Sequence, residues 1–325
     1  MTNTLESPQQ QTNSLSTSML LCLLLVGVFT LSLAAVFIKL SEQYIGPNAT
    51  VFNRFWIATV IIALWKGSKA LAFLFFKDSS PQKEIYTTSD ILLLVLSAIV
   101  ISISHIAWAW SVTQTNVANA NLLHNLTPIF AILGGWLVLG YNFDSRFLIG
   151  TVLTIGGAVA IGIEDLQTAT IHLLGDALAL LSAVFYAANI LVMEKLRDKF
   201  SISSILLLSC FFRIFLTFPV AAFTEYQLFP SSLEGWLPVF CLAFFCQVIG
   251  AGILGYALKQ FSSGFISLCL LLEPIITTTI AWFLFDEHLS IINLLTFFVV
   301  LVGIYIAKSG QGVNKEEPKI IAEDA

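Results

Sequence analysis

The chain has 325 residues, of which 57% are hydrophobic and 11% charged, with a formal net charge of −5. Soluble domains carry about 25% charged residues, so this composition excludes an ordinary water-soluble globular fold. The net charge says little about partners, because most of the surface of such a chain faces lipid.

Residues 1–17 are rich in Gln, Ser and Thr and contain no Lys or Arg. A secretory signal needs a basic stretch ahead of its apolar core, so this segment reads as a disordered cytoplasmic tail and the first apolar run stays in the protein. Apolar runs of roughly 17–25 residues mark membrane-crossing helices. Ten follow, at about 18–40, 49–66, 91–112, 119–139, 147–163, 171–193, 202–223, 235–258, 264–285 and 289–308. The expected fold class is therefore an all-α integral membrane protein with ten transmembrane helices. Connections are short except 67–90, where the apolar patch Leu71–Phe76 lies between lysines and reads as a half-turn at the cytoplasmic interface. Residues 309–325 form a second polar tail, also cytoplasmic.

Orientation follows from the excess of Lys and Arg on the cytoplasmic side of membrane proteins. Lys66, Lys69, Lys77, Lys83, Arg146, Lys195, Arg197, Lys199, Lys259, Lys308, Lys315 and Lys319 fall on one side, and only Lys39 falls on the other. Both termini are thus expected in the cytoplasm, and the plasma (cell inner) membrane is the expected location. Arg54 and Arg213 remain inside the spans. Cys22, Cys210, Cys241, Cys246 and Cys269 also lie in apolar spans without a CxxC pair. Such thiols behave as small hydrophobes, and neither a disulfide nor a metal is expected.

A second pattern overlays the spans. At an offset of 146 residues, Gln114 meets Gln260, Leu126 meets Leu272, Pro128 meets Pro274, Trp136 meets Trp282 and Gly157 meets Gly303. Each copy closes a block of five spans, 18–163 or 171–308. A repeated block with an odd number of crossings must lie upside down relative to its copy, the architecture of secondary transporters. Pro128 and Pro274 fall within spans at matching places and are expected to kink their helices, as is Pro219. Gly150, Gly156 and Gly157 in the fifth span, and Gly250, Gly252 and Gly255 in the eighth, are expected to mark close helix contacts.

These elements resemble a known family. Thr127-Pro128-Ile129-Phe130, Leu139-Gly140, Gly150 and Gly156-Gly157 in the first block are similar to the helix-opening element of EamA-type members of the drug/metabolite transporter superfamily. So are Glu273-Pro274-Ile275-Ile276, Asp286-Glu287 and Gly303 in the second. The resemblance covers roughly residues 18–308. It implies two EamA-like five-helix repeats, and movement of a small metabolite by alternating access through a cavity where the blocks meet. Amino acids, drugs and other metabolites all occur as cargo in the family, and export is common. One departure stands out: the acid that the family places after the first-block Leu-Gly falls at Tyr141, whereas the second block keeps Glu287.

Ionisable groups inside a bilayer are costly, and are functional candidates by default. Counting about 1.5 Å per residue places Arg213, Glu273 and Gln247 together near the midplane. Arg213 and Glu273 can form either a static ion pair, or a site in which Arg213 holds a carboxylate while Glu273 exchanges a proton or an ammonium. Arg54, His105 and His124 lie nearer the outside. Asn121, His124 and Asn125 share one helix face at i, i+3 and i+4. Arg54 can alternatively snorkel to the headgroups, and each histidine can be a structural hydrogen bonder. Trp110 and Tyr256 coincide in the repeat register, although an interfacial aromatic belt accounts for such residues equally well. The substrate-binding candidates are Arg54, His105, Asn121, His124, Arg213, Gln247, Tyr256 and Glu273.

No catalytic residue, cofactor or metal is expected, and the partners are a small-molecule substrate and the lipid bilayer, without nucleic acid. A homodimer is compatible with the sequence. An integral membrane enzyme acting on lipid is the main alternative, weakened because no loop carries an HExxH, CxxC or HxxxD element. A receptor or scaffold fits ten spans but leaves the repeat unexplained. The absence of a GxxxxGK[ST] element removes ATP-driven pumping by this chain alone.

Overall fold

The computed structural model describes residues 17–76, 84–114, 123–165, 173–285 and 291–310, with Val313. Most of the two tails, including 1–16 and 314–325, lies outside the described residues. Every element among the described residues is helical, the form in which a backbone satisfies its own hydrogen bonds without water. In chain order they are α1 (Thr17–Ser32), α2 (Ala34–Ser41), α3 (Pro47–Phe76), α4 (Thr88–Gln114), α5 (Thr127–Leu139), α6 (Ser145–Asp165), α7 (Leu173–Arg197) and α8 (Ile202–Thr224). Then come α9 (Leu233–Cys241), a π-helical segment (Leu242–Gly250), α10 (Ala251–Ala257), α11 (Ser263–Leu270), α12 (Leu272–Phe285) and α13 (Ile291–Lys308).

Among the described residues, six stretches are long and apolar enough to cross a membrane: Thr17–Ile38, Pro47–Ser68, Thr88–Trp108, Leu173–Arg197, Ile202–Thr224 and Leu233–Ala257. Four shorter apolar helices lie at Thr127–Leu139, Ser145–Ala160, Ser263–Ile276 and Leu294–Lys308. The fourth and ninth apolar segments are interrupted, and their prolines show why. Asn125 and Leu126 form a turn, α5 starts at Thr127, and Pro128 sits in its first turn. In the ninth, α11 ends at Leu270, α12 starts at Leu272, and Pro274 again falls in the first turn. The expected kinks are therefore helix starts, where the missing proline N–H costs nothing. At the first break Thr127 Oγ1 donates to the His124 carbonyl at 2.6 Å, the acceptor that Pro128 leaves without a helical donor. Pro219 does stay inside a helix, in α8.

Two further boundaries differ from the expected ones. The helix α3 continues to Phe76, so Leu71–Phe76 extends the second segment instead of forming a separate interfacial turn. A turn at Leu33 divides the first segment into α1 and α2. Local chemistry ends the helices where the sequence allows it. Thr87 and Asp90 cap α4 reciprocally, Asp90 Oδ2 accepting the Thr87 N–H at 3.1 Å while Thr87 Oγ1 accepts the Asp90 N–H at 3.3 Å. Gly140 closes α5 at φ 72°, a left-handed conformation that glycine adopts without steric cost.

With the apolar segments numbered one to ten, the main packing pairs between the two five-segment blocks exchange with one another. Segment three packs on six (α4 on α7), and one on eight (α1 on the π-helical segment and α10). Four on six (α5 on α7) answers one on nine (α1 on α12), and three on seven (α4 on α8) answers two on eight (α3 on the π-helical segment). Two pairs with seven, four with nine and five with ten (α3·α8, α5·α11, α6·α13), each with its own counterpart. The last contact is close because it is made through glycine. A Cβ on Gly150 would collide with the backbone of Ala307 and Gly303, and one on Gly303 with Thr154. Small residues at such a crossing let two backbones approach and pack in lipid. Gly157 and Gly255 are similarly crowded, by Val300 and Ile202, whereas a Cβ on Gly156 would meet nothing.

At the end expected to face the cytoplasm, Glu194 of α7 is 1% exposed. Its carboxylate accepts the Tyr141 hydroxyl at 2.5 Å and the Ser263 N–H at the start of α11 at 3.0 Å. This explains the departure at Tyr141. A carboxylate is already present there, contributed by α7, and the residue after Gly140 is its donor.

Candidate functional site

Arg54 lies on α3, two turns from its start, and its Nε donates to Gln247 Oε1 at 3.0 Å. Gln247 is buried in the π-helical segment. Long π-helical stretches are rare and tend to mark functional positions. The Gln247 side chain also donates to Cys210 Sγ of α8 at 3.6 Å, so one amide ties α3, the π-helical segment and α8 together. One residue earlier, Cys246 Sγ donates to the Thr30 carbonyl at 3.1 Å, close to the break between α1 and α2.

Arg213, one turn beyond Cys210, is 3% exposed. Its Cζ stands 5.2 Å over the Phe55 ring, and its Nε has no hydrogen-bond partner among the described residues. His105 of α4 stacks on the same Phe55 ring at 6.0 Å, and its Nδ1 likewise has no partner among the described residues. His124 faces α7, with Nδ1 2.7 Å from Ser182 Oγ and its ring centroid 5.4 Å from that of Tyr186 in an edge-to-face arrangement. The Ser182 hydroxyl donates its proton to the Ala179 carbonyl. Glu273, part-buried in the first turn of α12, is within electrostatic reach of Arg54 and Tyr186. Tyr186 also senses both arginines.

The two depth levels read from the sequence thus merge. Arg54 does not snorkel; it turns inward to Gln247. Of the two readings left open for Arg213 and Glu273, the ion pair is not present among the described residues; Arg213 lies instead against the Phe55 ring. Arg54 is instead the cation that acts on Glu273. His105, His124, Arg213, Gln247 and Glu273 come together with Arg54, whereas Tyr256 does not. It lies at the far end of α10, 39% exposed, on the rim of an apolar cavity of about 520 Å³ between α1, α3, α8 and α10. Ile61 lines that cavity two turns along α3 from Arg54, and Val248 lines it next to Gln247. Asn121 lies outside the described residues. Tyr186 and Phe55 were not among the expected site residues. Ser182, Tyr186 and Asn189 fall at i, i+4 and i+7, a polar stripe on one face of α7 that marks Tyr186 as interior.

A buried, incompletely paired guanidinium costs several kcal/mol; Arg213 is such a group, and part-buried Arg54 lies in the same cluster. Bundled apolar helices with such groups turned inward define a multi-pass membrane protein. The EamA-like transporter family model matches residues 18–163 and again 173–308, and the chain belongs to that family. An uncharacterized transporter of Archaeoglobus fulgidus is 21% identical over 85% of this chain and 92% of its own length. A probable amino-acid metabolite efflux pump of Escherichia coli K12 is 24% identical over 58% of this chain and 66% of its own. A solved crystal structure matches with a TM-score of 0.74 at 14% identity, covering 90% of this chain and 98% of that one. The chain is therefore a membrane transporter by family, and nothing in these relatives points to catalysis.

Proposed function

We propose that this protein is a secondary carrier that moves a small metabolite by alternating access. In this reading ten membrane-crossing helices form two inverted five-helix repeats, 18–163 and 171–308, with both termini in the cytoplasm and the protein in the plasma membrane. The observation that carries the proposal is the Arg54–Gln247 hydrogen bond, which joins the two blocks in the middle of the bundle. Arg213, His105, His124 and Glu273 surround it. The exchange of packing pairs between the blocks supports the repeat, and the two family matches support the same division. Amino acids and related solutes are the first substrates to try, and export the first direction, given the name of the Escherichia coli relative. Glu273 is the candidate proton carrier, because it is the carboxyl group of the cluster.

The test is counterflow in liposomes containing only the purified protein. Wild type is expected to exchange at least one solute of a metabolite panel, and Glu273→Gln and Arg213→Ala to abolish the exchange while remaining folded. Proton coupling adds a dependence on the pH gradient that disappears in Glu273→Gln. Normal exchange by both variants refutes the site.

A further inference from the structure

The charges of the cluster do not balance, and the imbalance has a sign. Arg54 and Arg213 are permanent cations, and Glu273 is the one carboxylate within their reach among the described residues. The cluster is net positive whether Glu273 is ionised or carries a proton, and protonation of His105 or His124 only adds to the excess. Arg54 is engaged, with its Nε on Gln247 and its field on Glu273. Arg213 is not. Contact with the Phe55 ring stabilises its charge but accepts none of its N–H donors, and Nε has no partner among the described residues at 3% exposure. A guanidinium whose charge rests on a ring and whose Nε–H has no acceptor among the described residues matches a carboxylate, which it can bind through two parallel hydrogen bonds.

We propose that the site takes a net-anionic organic acid, with a carboxylate of the solute seated on Arg213. This rests on the cluster being the substrate site. A monoanion cancels the excess when Glu273 is ionised, and a dianion or a monoanion reduces it when Glu273 is protonated. A zwitterionic amino acid leaves the excess unchanged, and an amine enlarges it. The solute class is thus narrower than amino-acid metabolites in general: acids carrying no compensating ammonium, or acidic amino acids.

Four probes of comparable size separate these classes: phenylacetate (monoanion), glutarate (dianion), phenylalanine (zwitterion) and phenethylamine (cation). Binding to the purified protein in nanodiscs is measured by calorimetry and by the shift in melting temperature. Phenylacetate or glutarate is expected to bind at least tenfold more tightly than phenylalanine, with no binding of phenethylamine. Arg213→Gln is expected to weaken the anion at least tenfold, and Arg213→Lys to restore part of the loss. The proposal is overturned if phenylalanine or phenethylamine binds as tightly as the anions, if neither anion binds, or if Arg213→Gln binds anions like wild type. The wild-type panel decides the matter even if a variant misfolds. Binding of an anion that is never exchanged in liposomes sinks the carrier reading and leaves the anion site standing. Arg213-dependent exchange of zwitterions alone does the reverse.

Discussion

Removing the Tyr141 hydroxyl isolates the contribution of one hydrogen bond to the end of the molecule where the two blocks meet. Glu194 accepts from Tyr141 Oη and from the Ser263 N–H, so it joins the turn after α5 to the start of α11. At 1% exposure its carboxylate is not screened by solvent. A hydrogen bond to a charged acceptor contributes about 1.5–3 kcal/mol. Tyr141→Phe should therefore favour local opening by a factor of roughly 10–150 at about 1.4 kcal/mol per decade. The readout is amide hydrogen exchange in a peptide spanning Ser263, whose N–H is the second donor. Exchange there should rise by that factor, while peptides from the α6–α13 contact stay unchanged. Tyr141→Glu sets a second carboxyl group against the buried Glu194. It should open the region further than Tyr141→Phe. Exchange within twofold of wild type in Tyr141→Phe, or a Tyr141→Glu variant as protected as wild type, refutes the role assigned to Tyr141.

The α6–α13 crossing makes a second prediction with an internal control. Gly150→Ala forces a Cβ into the backbone of Ala307 and Gly303, whereas Gly156→Ala meets nothing. Overpacking costs typically about 1–3 kcal/mol, so the first variant should melt or denature earlier in detergent, and the second should match wild type. A third concerns acid. Burial raises the Glu84 carboxyl, but hydrogen bonds from Ser204, Tyr86 and Ser201 outweigh it and bring the group down from 4.5 to about 2. A depressed carboxyl contributes stability that is complete above pH 4.5 and is lost as the pH falls toward 2. Glu84→Gln should flatten the stability profile between those values, and an unchanged profile refutes the assignment.

Much of the frame was legible because lipid imposes a simple rule on composition. Apolar runs located the helical segments, and the glycines at 150 and 157 correctly marked close approach. The prolines were noticed for the right positions and read for the wrong geometry. Proline in a first turn and proline in mid-helix look alike in sequence, and only the turns at Asn125–Leu126 and Leu271 separate them. The π-helical segment has no composition of its own, so Gln247 could be placed in depth but not aimed. The same limit applies to Arg213 and Glu273. Residue counting fixes height along a helix to within a turn, but rotation about the axis is set by packing, and the fit of α3 against α8 placed Phe55 before Arg213 and Arg54 within reach of Glu273.

The site residues follow the exchange of packing pairs even though they are not identical. Arg54 and Arg213 come from segments two and seven, which pack on each other. His105 and Gln247 come from three and eight, and the Thr127–Pro128 and Glu273–Pro274 breaks from four and nine. Two of these three counterpart pairs differ in chemistry: imidazole against amide, and hydroxyl against carboxyl. A cluster symmetric in chemistry as well as position would present a solute with two equivalent orientations and two equal half-sites. The substitution of Glu273 for a hydroxyl, and of Gln247 for an imidazole, removes that degeneracy. Arg54 is drawn to one side by Gln247 and Glu273, and Arg213 is left with its donors open on the other. The packing pairs exchange between the two halves, while the polar groups that the halves contribute differ in chemistry.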